Sequence, residues 1–170
     1  MLRATLLIIS LITYAWTAGY RWNSTASFPT GLWKISKPFN PSTDKFKTIS
    51  FCPPNTPVFI LAKQRDYIGA GLLSCASGFQ PMIKKVIAVA GDTISITDQG
   101  ITVNNQSLAN SKPLNIDNKQ RPLPQAQGEL VAAGFIWVLS DYSPTSFDSR
   151  YFGPIAVSDV LGVIEPLFIF

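Results

Sequence analysis

The sequence predicts a mainly β domain carried on an N-terminal apolar helix. Two observations set this expectation. Residues 4–20 form an unbroken uncharged segment. After residue 22 the apolar residues fall instead into short β-branched runs punctuated by Pro, Gly and Asn, with no apolar stripe of helical period and useful length. The chain therefore divides into an apolar segment, 1–22, and a β-rich domain, 23–170.

The first element is ATLLIISLITYAWTAGY, preceded by Arg3 and followed by Arg21. At 1.5 Å per residue it spans about 26 Å, close to the hydrocarbon core of a bilayer, and its basic start also suits a secretory signal. Its Trp and Tyr lie at one end, as interfacial aromatics do. A retained anchor and a cleaved signal both fit, and Ala15-Trp16-Thr17 is a poorly formed small-x-small cleavage site. A buried core helix is the remaining alternative. Thr48–Cys52 and Val58–Ala62 read as strands on either side of Pro53-Pro54. Residues 83–91 form a longer β-branched run. Thr93–Thr97 and Ile101–Val103 alternate around Asp98-Gln-Gly100, which predicts a hairpin. Gly134–Leu139 and Val160–Ile164 complete the strands. The polar stretch 104–130, with its prolines, predicts a long excursion from the sheet, the kind of loop that carries function or moves.

A chain of 170 residues with 46% hydrophobic residues fits one domain with a sizeable core. Its net charge is +4, but the basic residues are scattered and no stripe follows a phosphate backbone, so no nucleic-acid partner is expected. Only 14% of residues are charged, against about 25% in an average domain, which suits a membrane boundary or extended peptides. The two cysteines, Cys52 and Cys75, lack Cys-x-x-Cys spacing and histidine partners, so neither a metal nor another cofactor is expected. In an oxidising compartment they permit one disulfide, closing a loop worth about 3 kcal/mol in the chain-entropy account and leaving the enclosed segment free to fold back as a flap. Two buried free thiols are the alternative.

The chain contains no histidine. A hydroxyl nucleophile built on it must therefore give its proton to another group, and a lysine held neutral by burial is the main candidate. Ser27 stands in Ser27-Phe-Pro-Thr-Gly-Leu-Trp33, where Pro29 fixes an extended segment and Gly31 permits a close backbone approach. Taken alone, a serine ahead of a proline is a turn residue. Lys84 and Lys85 lie in the β-branched run, and strand alternation sends them to opposite faces. One can then be desolvated among aliphatic side chains, which lowers its pKa toward that of a general base; two solvated lysines on an edge strand are the plainer reading. Ser146, Asp148 and Arg150 recur at alternate positions. If extended they share a face, with Ser146 available to an amine and Asp148 paired with Arg150. A carboxylate–guanidinium pair bracing a turn has no need of a catalytic role.

Together these blocks resemble the type I signal peptidase superfamily, and within it the TraF-like pilin-processing peptidases of plasmid transfer systems. The resemblance runs from about residue 20 to the C-terminus. It rests on Ser27-x-Pro29-x-Gly31-Leu-Trp33, Cys52-Pro-Pro54, Arg65-x-Tyr67-Ile68 with Cys75 beyond, Lys84-Lys-Val, Gly91-Asp92-Thr, Arg121-Pro-Leu-Pro124 and the block from Ser146 to Pro154. The short spacing from serine to proline favours the conjugative branch over the housekeeping enzymes. The chain departs from the pattern at Thr43-Asp44-Lys45, where a Gly-Asp usually opens the next strand.

The resemblance implies a β-rich peptidase domain over 23–170, with Ser27 as nucleophile and Lys84 as general base. It implies an oxyanion hole of the Ser27 N–H and the Thr25 hydroxyl, Ser146 orienting Lys84, and Asp148 and Arg150 holding that block, with a direct catalytic role for Asp148 also open. The implied substrate is a membrane-linked precursor, pilin-like, whose cleavage segment adds a strand along a sheet edge. Similar enzymes pass the acyl group to water or to an amine of the same peptide. A monomer at the periplasmic side of the inner membrane is expected. The alternatives are a general signal peptidase and a non-enzymatic, membrane-tethered assembly factor. The Ser/Lys enzymes of the β-lactamase type are disfavoured, since no Ser-x-x-Lys opens a helix and no Lys-Thr-Gly stands beyond it.

Overall fold

The computed structural model describes residues 2–69 and 75–170. Its first element is helix α1, Leu2–Thr17. Leu7, Ile8, Ile9, Leu11, Ile12 and Tyr14 are all exposed on it, an apolar surface that the domain leaves uncovered. Among the described residues, no helix is long and apolar enough to cross a membrane. The helix also stops short of residue 22. Gly19, at φ 88°, turns the chain, and Arg21 lies 3.8 Å from the Trp16 ring while donating to the Trp16 carbonyl. Residues 20–23 then join the sheet, so the boundary drawn at 22 falls inside a strand.

Among the described residues the main sheet is antiparallel throughout, with seven strands in the order β1-β2-β10-β3-β4-β8-β9. These are β1 Tyr20–Asn23, β2 Gly31–Lys37, β3 Thr48–Phe51, β4 Met82–Val89, β8 Phe135–Leu139, β9 Ile155–Ala156 and β10 Val160–Ile169. A small second sheet holds β5 Ile94–Thr97, β6 Gly100–Val103 and β7 Gln106–Ser107, the first two forming the hairpin predicted from Asp98-Gln-Gly100.

Strand β4 lies between two cores. Val86 packs with Ile49, Phe51, Val138 and Val163, while Ile87 and Ala88 pack with Trp137 and Leu139 of β8 and with Ile94 and Ile101 on the second sheet. Burial on both faces is why its sequence reads as a continuous apolar run rather than an alternating one.

Three expectations need correction. Val58–Ala62 is not a strand but belongs to helix α2, Pro57–Gln64. A five-residue apolar run has no period that separates the two, and Pro57 in the first turn is the helical signal. Only Phe59 and Ala62, three residues apart, are buried, as one helix face requires. Strand β10 continues well beyond Ile164, passing Pro166 where the pairing with β2 is irregular and a missing donor is tolerated. The block from Ser146 is not extended: Asp148 caps a one-turn helix α3, Ser149–Phe152.

At Thr43-Asp44-Lys45 the chain turns, with the Asp44 carboxylate buried. It accepts Lys37 Nζ at 2.5 Å and the Asn40 N–H at 2.8 Å, so a salt bridge and a backbone bond fix the approach to β3. The excursion 104–130 contributes β7 and two isolated bridges, Ile116 to Pro122 and Leu130 to Thr93, and otherwise runs irregularly. Cys52 and Cys75 are joined in a disulfide with Cα atoms 5.6 Å apart. Within that loop the Gly69 carbonyl accepts the Gln80 N–H at 3.2 Å, which holds the Tyr67–Gly69 stretch against the start of β4.

Candidate active site

Ser27 sits in the turn between β1 and β2. Asn23, buried at the end of β1, shapes that turn with its amide group. Its Nδ2 reaches the carbonyls of Thr25, Phe28 and Pro29 at 3.0–3.1 Å, and its Oδ1 accepts the Thr25 N–H at 3.2 Å and the Thr25 hydroxyl at 2.9 Å. At the other end of the turn Gly31 is indispensable: a Cβ there would stand 2.1 Å from the Phe168 carbonyl oxygen of β10. The Trp33 indole donates to the Pro29 carbonyl and packs on Phe28, closing the turn from below.

Lys84 lies on β4 beneath this turn, 1% exposed. Its Nζ is 3.2 Å from Ser27 Oγ and donates to the Ile83 carbonyl at 3.1 Å. Burial pushes its pKa down to about 8; the Asp148 carboxylate opposes that shift and the Arg150 guanidinium adds to it. Lys85 leaves the opposite face, half-exposed, and pairs with Asp141 at 2.6 Å.

Thr25 is exposed, its hydroxyl 2.9 Å from Ser27 Oγ. With its proton on Asn23 Oδ1 it accepts from Ser27. Among the described residues the Ser27 N–H has no acceptor. An amide left free beside a nucleophile is what an oxyanion donor requires.

Asp148 and Arg150 are both fully buried and paired, with Arg150 Nε 2.8 Å from Oδ1 and Nη2 2.9 Å from Oδ2. The guanidinium also donates to the carbonyls of Lys112, Pro144 and Ser146 at 2.9–3.0 Å, tying the 104–130 excursion and the 144–146 turn to one point. Asp148 is bonded neither to Lys84 nor to Ser27. Its Oδ2 accepts the Ser140 N–H at 3.1 Å, and the Ser140 hydroxyl donates a short hydrogen bond to the Ser27 carbonyl. Among the described residues the Ser146 hydroxyl is buried with no hydrogen-bond partner, Lys84 included, while its carbonyl serves Arg150. The structure thus brings Ser27, Thr25 and Lys84 into one hydrogen-bonded group and sets Asp148 and Arg150 behind it.

Two residues of this site went unread in the sequence. Asn23 carries a local signal, an Asn opening a Ser-Thr turn, which suits a side chain that bonds the backbone ahead of it. Ser140 carries none, being 113 residues from the carbonyl it holds.

The pair lies in a narrow cleft walled by Trp22–Thr25, Ile68, Gly69 and the start of β4. A buried amine of lowered pKa in contact with a serine hydroxyl, with a free amide beside it, is equipped for acyl transfer. The family model for "Signal peptidase, peptidase S26" matches residues 1–169. The plasmid transfer protein TraF of Escherichia coli is 42% identical over 155 residues, 89% of this chain and 84% of that protein. The probable conjugal transfer protein TraF of Sinorhizobium fredii is 37% identical over 163 residues, 95% of this chain and 83% of that protein. A signal peptidase I of Enterococcus faecalis, 25% identical, aligns with 76% of this chain and 98% of its own at a TM-score of 0.41. The chain belongs to the signal peptidases of the peptidase S26 family, among the TraF-like proteins.

Proposed function

We propose that this peptidase is a serine endopeptidase that cuts an exported, membrane-linked precursor by a Ser27/Lys84 dyad, in the service of conjugative transfer. The observation that carries the reading is the 3.2 Å contact between Ser27 Oγ and the buried Lys84 amine. The plasmid and conjugal transfer names of its relatives support a place in conjugation, the substrate we propose there is a pilin-like precursor, and the exposed apolar helix α1 suits work at the periplasmic face of a membrane.

In this mechanism neutral Lys84 takes the Ser27 proton as Oγ attacks the scissile carbonyl. The developing oxyanion is met by the Ser27 N–H and by the Thr25 hydroxyl, which turns from Asn23 to donate. The Lys84 ammonium then protonates the departing amine, leaving an acyl group on Ser27 that passes to water or to an amine. With a pKa of about 8, roughly a tenth of Lys84 is neutral at pH 7, enough for a general base.

A sheet edge is open to the substrate. Strand β8 pairs with β4 only as far as Lys85 and Leu139, so among the described residues Met82–Lys84 has no neighbouring strand on that side. Val86 turns its backbone toward the opposite side, to Lys47 and Phe46, and alternation directs Ile83 to the open one. A precursor segment can lie there as an added strand.

The test is the mass of a pilin precursor of the same transfer system, co-expressed with the wild type or with Ser27→Ala. Processing by the wild type alone is expected. An unprocessed precursor in both would favour a tethered assembly factor, and rescue of a cell lacking its own signal peptidase would favour the general enzyme.

A further inference from the structure

On the far side of Tyr67 and Phe147 from the dyad lies a second, larger cavity of about 260 Å³. Its floor is aromatic, with Phe147 stacked on Tyr151 at 5.5 Å and packed on Tyr67 at 5.0 Å. Its rim is charged. The Asp117 carboxylate is saturated: it accepts the Tyr67 hydroxyl at 2.5 Å, Arg121 Nε at 2.6 Å and the N–H groups of Lys119 and Arg121 at 2.8 and 2.9 Å. Desolvation would raise its pKa, but these bonds outweigh it and hold the carboxyl well below the usual range. Asp117 is thus a fixed part of the wall, and Arg121 is the cation that answers it.

Two cations at the rim are not answered. Among the described residues neither Arg65 nor Lys119 has a carboxylate partner. Arg65 donates one Nη1 bond to the Pro122 carbonyl at 2.6 Å, which fixes its position and, among the described residues, leaves the rest of its fork without an acceptor. Asp66, exposed, is the other rim carboxylate, so cations outnumber carboxylates around the opening.

We propose that this cavity binds the leaving side of the substrate through a carboxylate, held by Arg65 with Lys119, while a neighbouring apolar side chain rests on Tyr67 and Phe147. The inference rests on the peptidase reading for its direction. The cleft at Trp22–Ser24 and Gln80–Ile83 opens the other way into an apolar cavity of about 380 Å³ against Ile12, Ala15 and Trp16 of α1. On the peptidase reading, the apolar, membrane-linked part of the precursor is taken to precede the cut bond and to lie there, against the apolar lining. The segment on the leaving side of that bond then passes Tyr67 and Phe147 into the cationic cavity. A planar guanidinium fork matches a carboxylate in two bonds, whether that carboxylate is an acidic side chain or the end of the chain.

The experiment measures fluorescence anisotropy of three dansyl peptides on the full chain carrying Ser27→Ala. They are Ala-Ala-Ala-Leu with a free carboxylate, Ala-Glu-Ala-Leu amide and Ala-Ala-Ala-Leu amide. At least one of the first two is expected to bind about tenfold more tightly than the third, and which one identifies the source of the carboxylate. That advantage should fall to about twofold or less in Arg65→Gln/Lys119→Gln and persist in part in Arg65→Lys. Because Arg65 also braces Pro122, Lys119→Gln alone supplies a variant that breaks no side-chain hydrogen bond or ion pair among the described residues, expected to lose about threefold. Equal binding of all three peptides, or an advantage that survives in the double variant, would overturn the proposal. Failure of the wild type to acylate Ser27 would remove the peptidase reading, while these ratios judge the cavity by itself.

Discussion

Asp148 is linked to Ser27 through a single residue, Ser140, whose N–H donates to the Asp148 carboxylate and whose hydroxyl donates to the Ser27 carbonyl. The nucleophile's backbone is thereby fixed to the buried ion pair, in addition to the hold of Asn23 on the turn. Ser140→Ala removes that hold without touching a reacting atom. It should lower kcat by about 10- to 100-fold with KM little changed, since a small misplacement of a nucleophile is costly. Steady-state kinetics on a quenched peptide substrate checks this, and an unchanged kcat would show that Asn23 alone suffices.

Asp148→Asn separates the two roles open to Asp148. If it acts by pairing Arg150, the substitution leaves a buried guanidinium short of its counter-charge and costs about 3–5 kcal/mol, seen as a lower denaturation midpoint. Activity of the fraction that remains folded should stay within about tenfold of wild type. Full stability with abolished activity would instead assign Asp148 a direct part in proton transfer.

Lys84 sets the pH dependence of both activity and stability. The neutral amine is the base, so kcat/KM should rise about tenfold per pH unit below pH 8 and level off above it. The unfolded chain holds the proton up to the ordinary lysine pKa of 10.5, so between about pH 8 and 10.5 it binds more protons than the folded one, and stability should rise with pH across that window. Lys84→Met should be inactive and yet more stable at pH 7 by about 3 kcal/mol. Lys85→Ala should be mild, because its half-exposed pair with Asp141 faces away from the site. A pH–rate profile flat from acid to neutral would remove lysine from the role of base.

Thr25 distinguishes a side-chain oxyanion donor from a turn residue. Thr25→Val should lower kcat by about 100- to 1,000-fold, the usual cost of one lost donor, while Thr25→Ser restores most of it. Equal damage from both would mean that Thr25 serves the turn through its shape. Thermal denaturation should change little in either variant, since Thr25 is exposed.

Most of the β framework was legible because its signals are local. The run containing Lys84 is β-branched and continuous, and strand alternation alone separates Lys84 from Lys85. The Asp148–Arg150 pair was legible as chemistry but not as geometry: Asp148 precedes Ser149-Arg150-Tyr151, and a cap reading would have placed the pair on a helical turn. Val58–Ala62 misled because a short apolar run has no period of its own. The hold of Ser140 on Ser27 could not be read, since it arises only when β8 leaves the sheet beside β4. The cavity around Arg65 and Arg121 joins two motifs more than fifty residues apart in sequence, each visible by itself, through contacts that only the folded chain makes.

The central claim, that Lys84 activates Ser27 for acyl transfer, is tested most directly by intact-mass analysis after exposure to a serine-acylating trap. The wild type should gain one adduct, mapped to Ser27 by peptide sequencing and forming faster at pH 9 than at pH 7. Ser27→Ala and Lys84→Ala should each gain none, and the double variant should be no worse than either, as expected for residues acting as one unit. An adduct on another serine, or labelling of Lys84→Ala at the wild-type rate, would contradict the account.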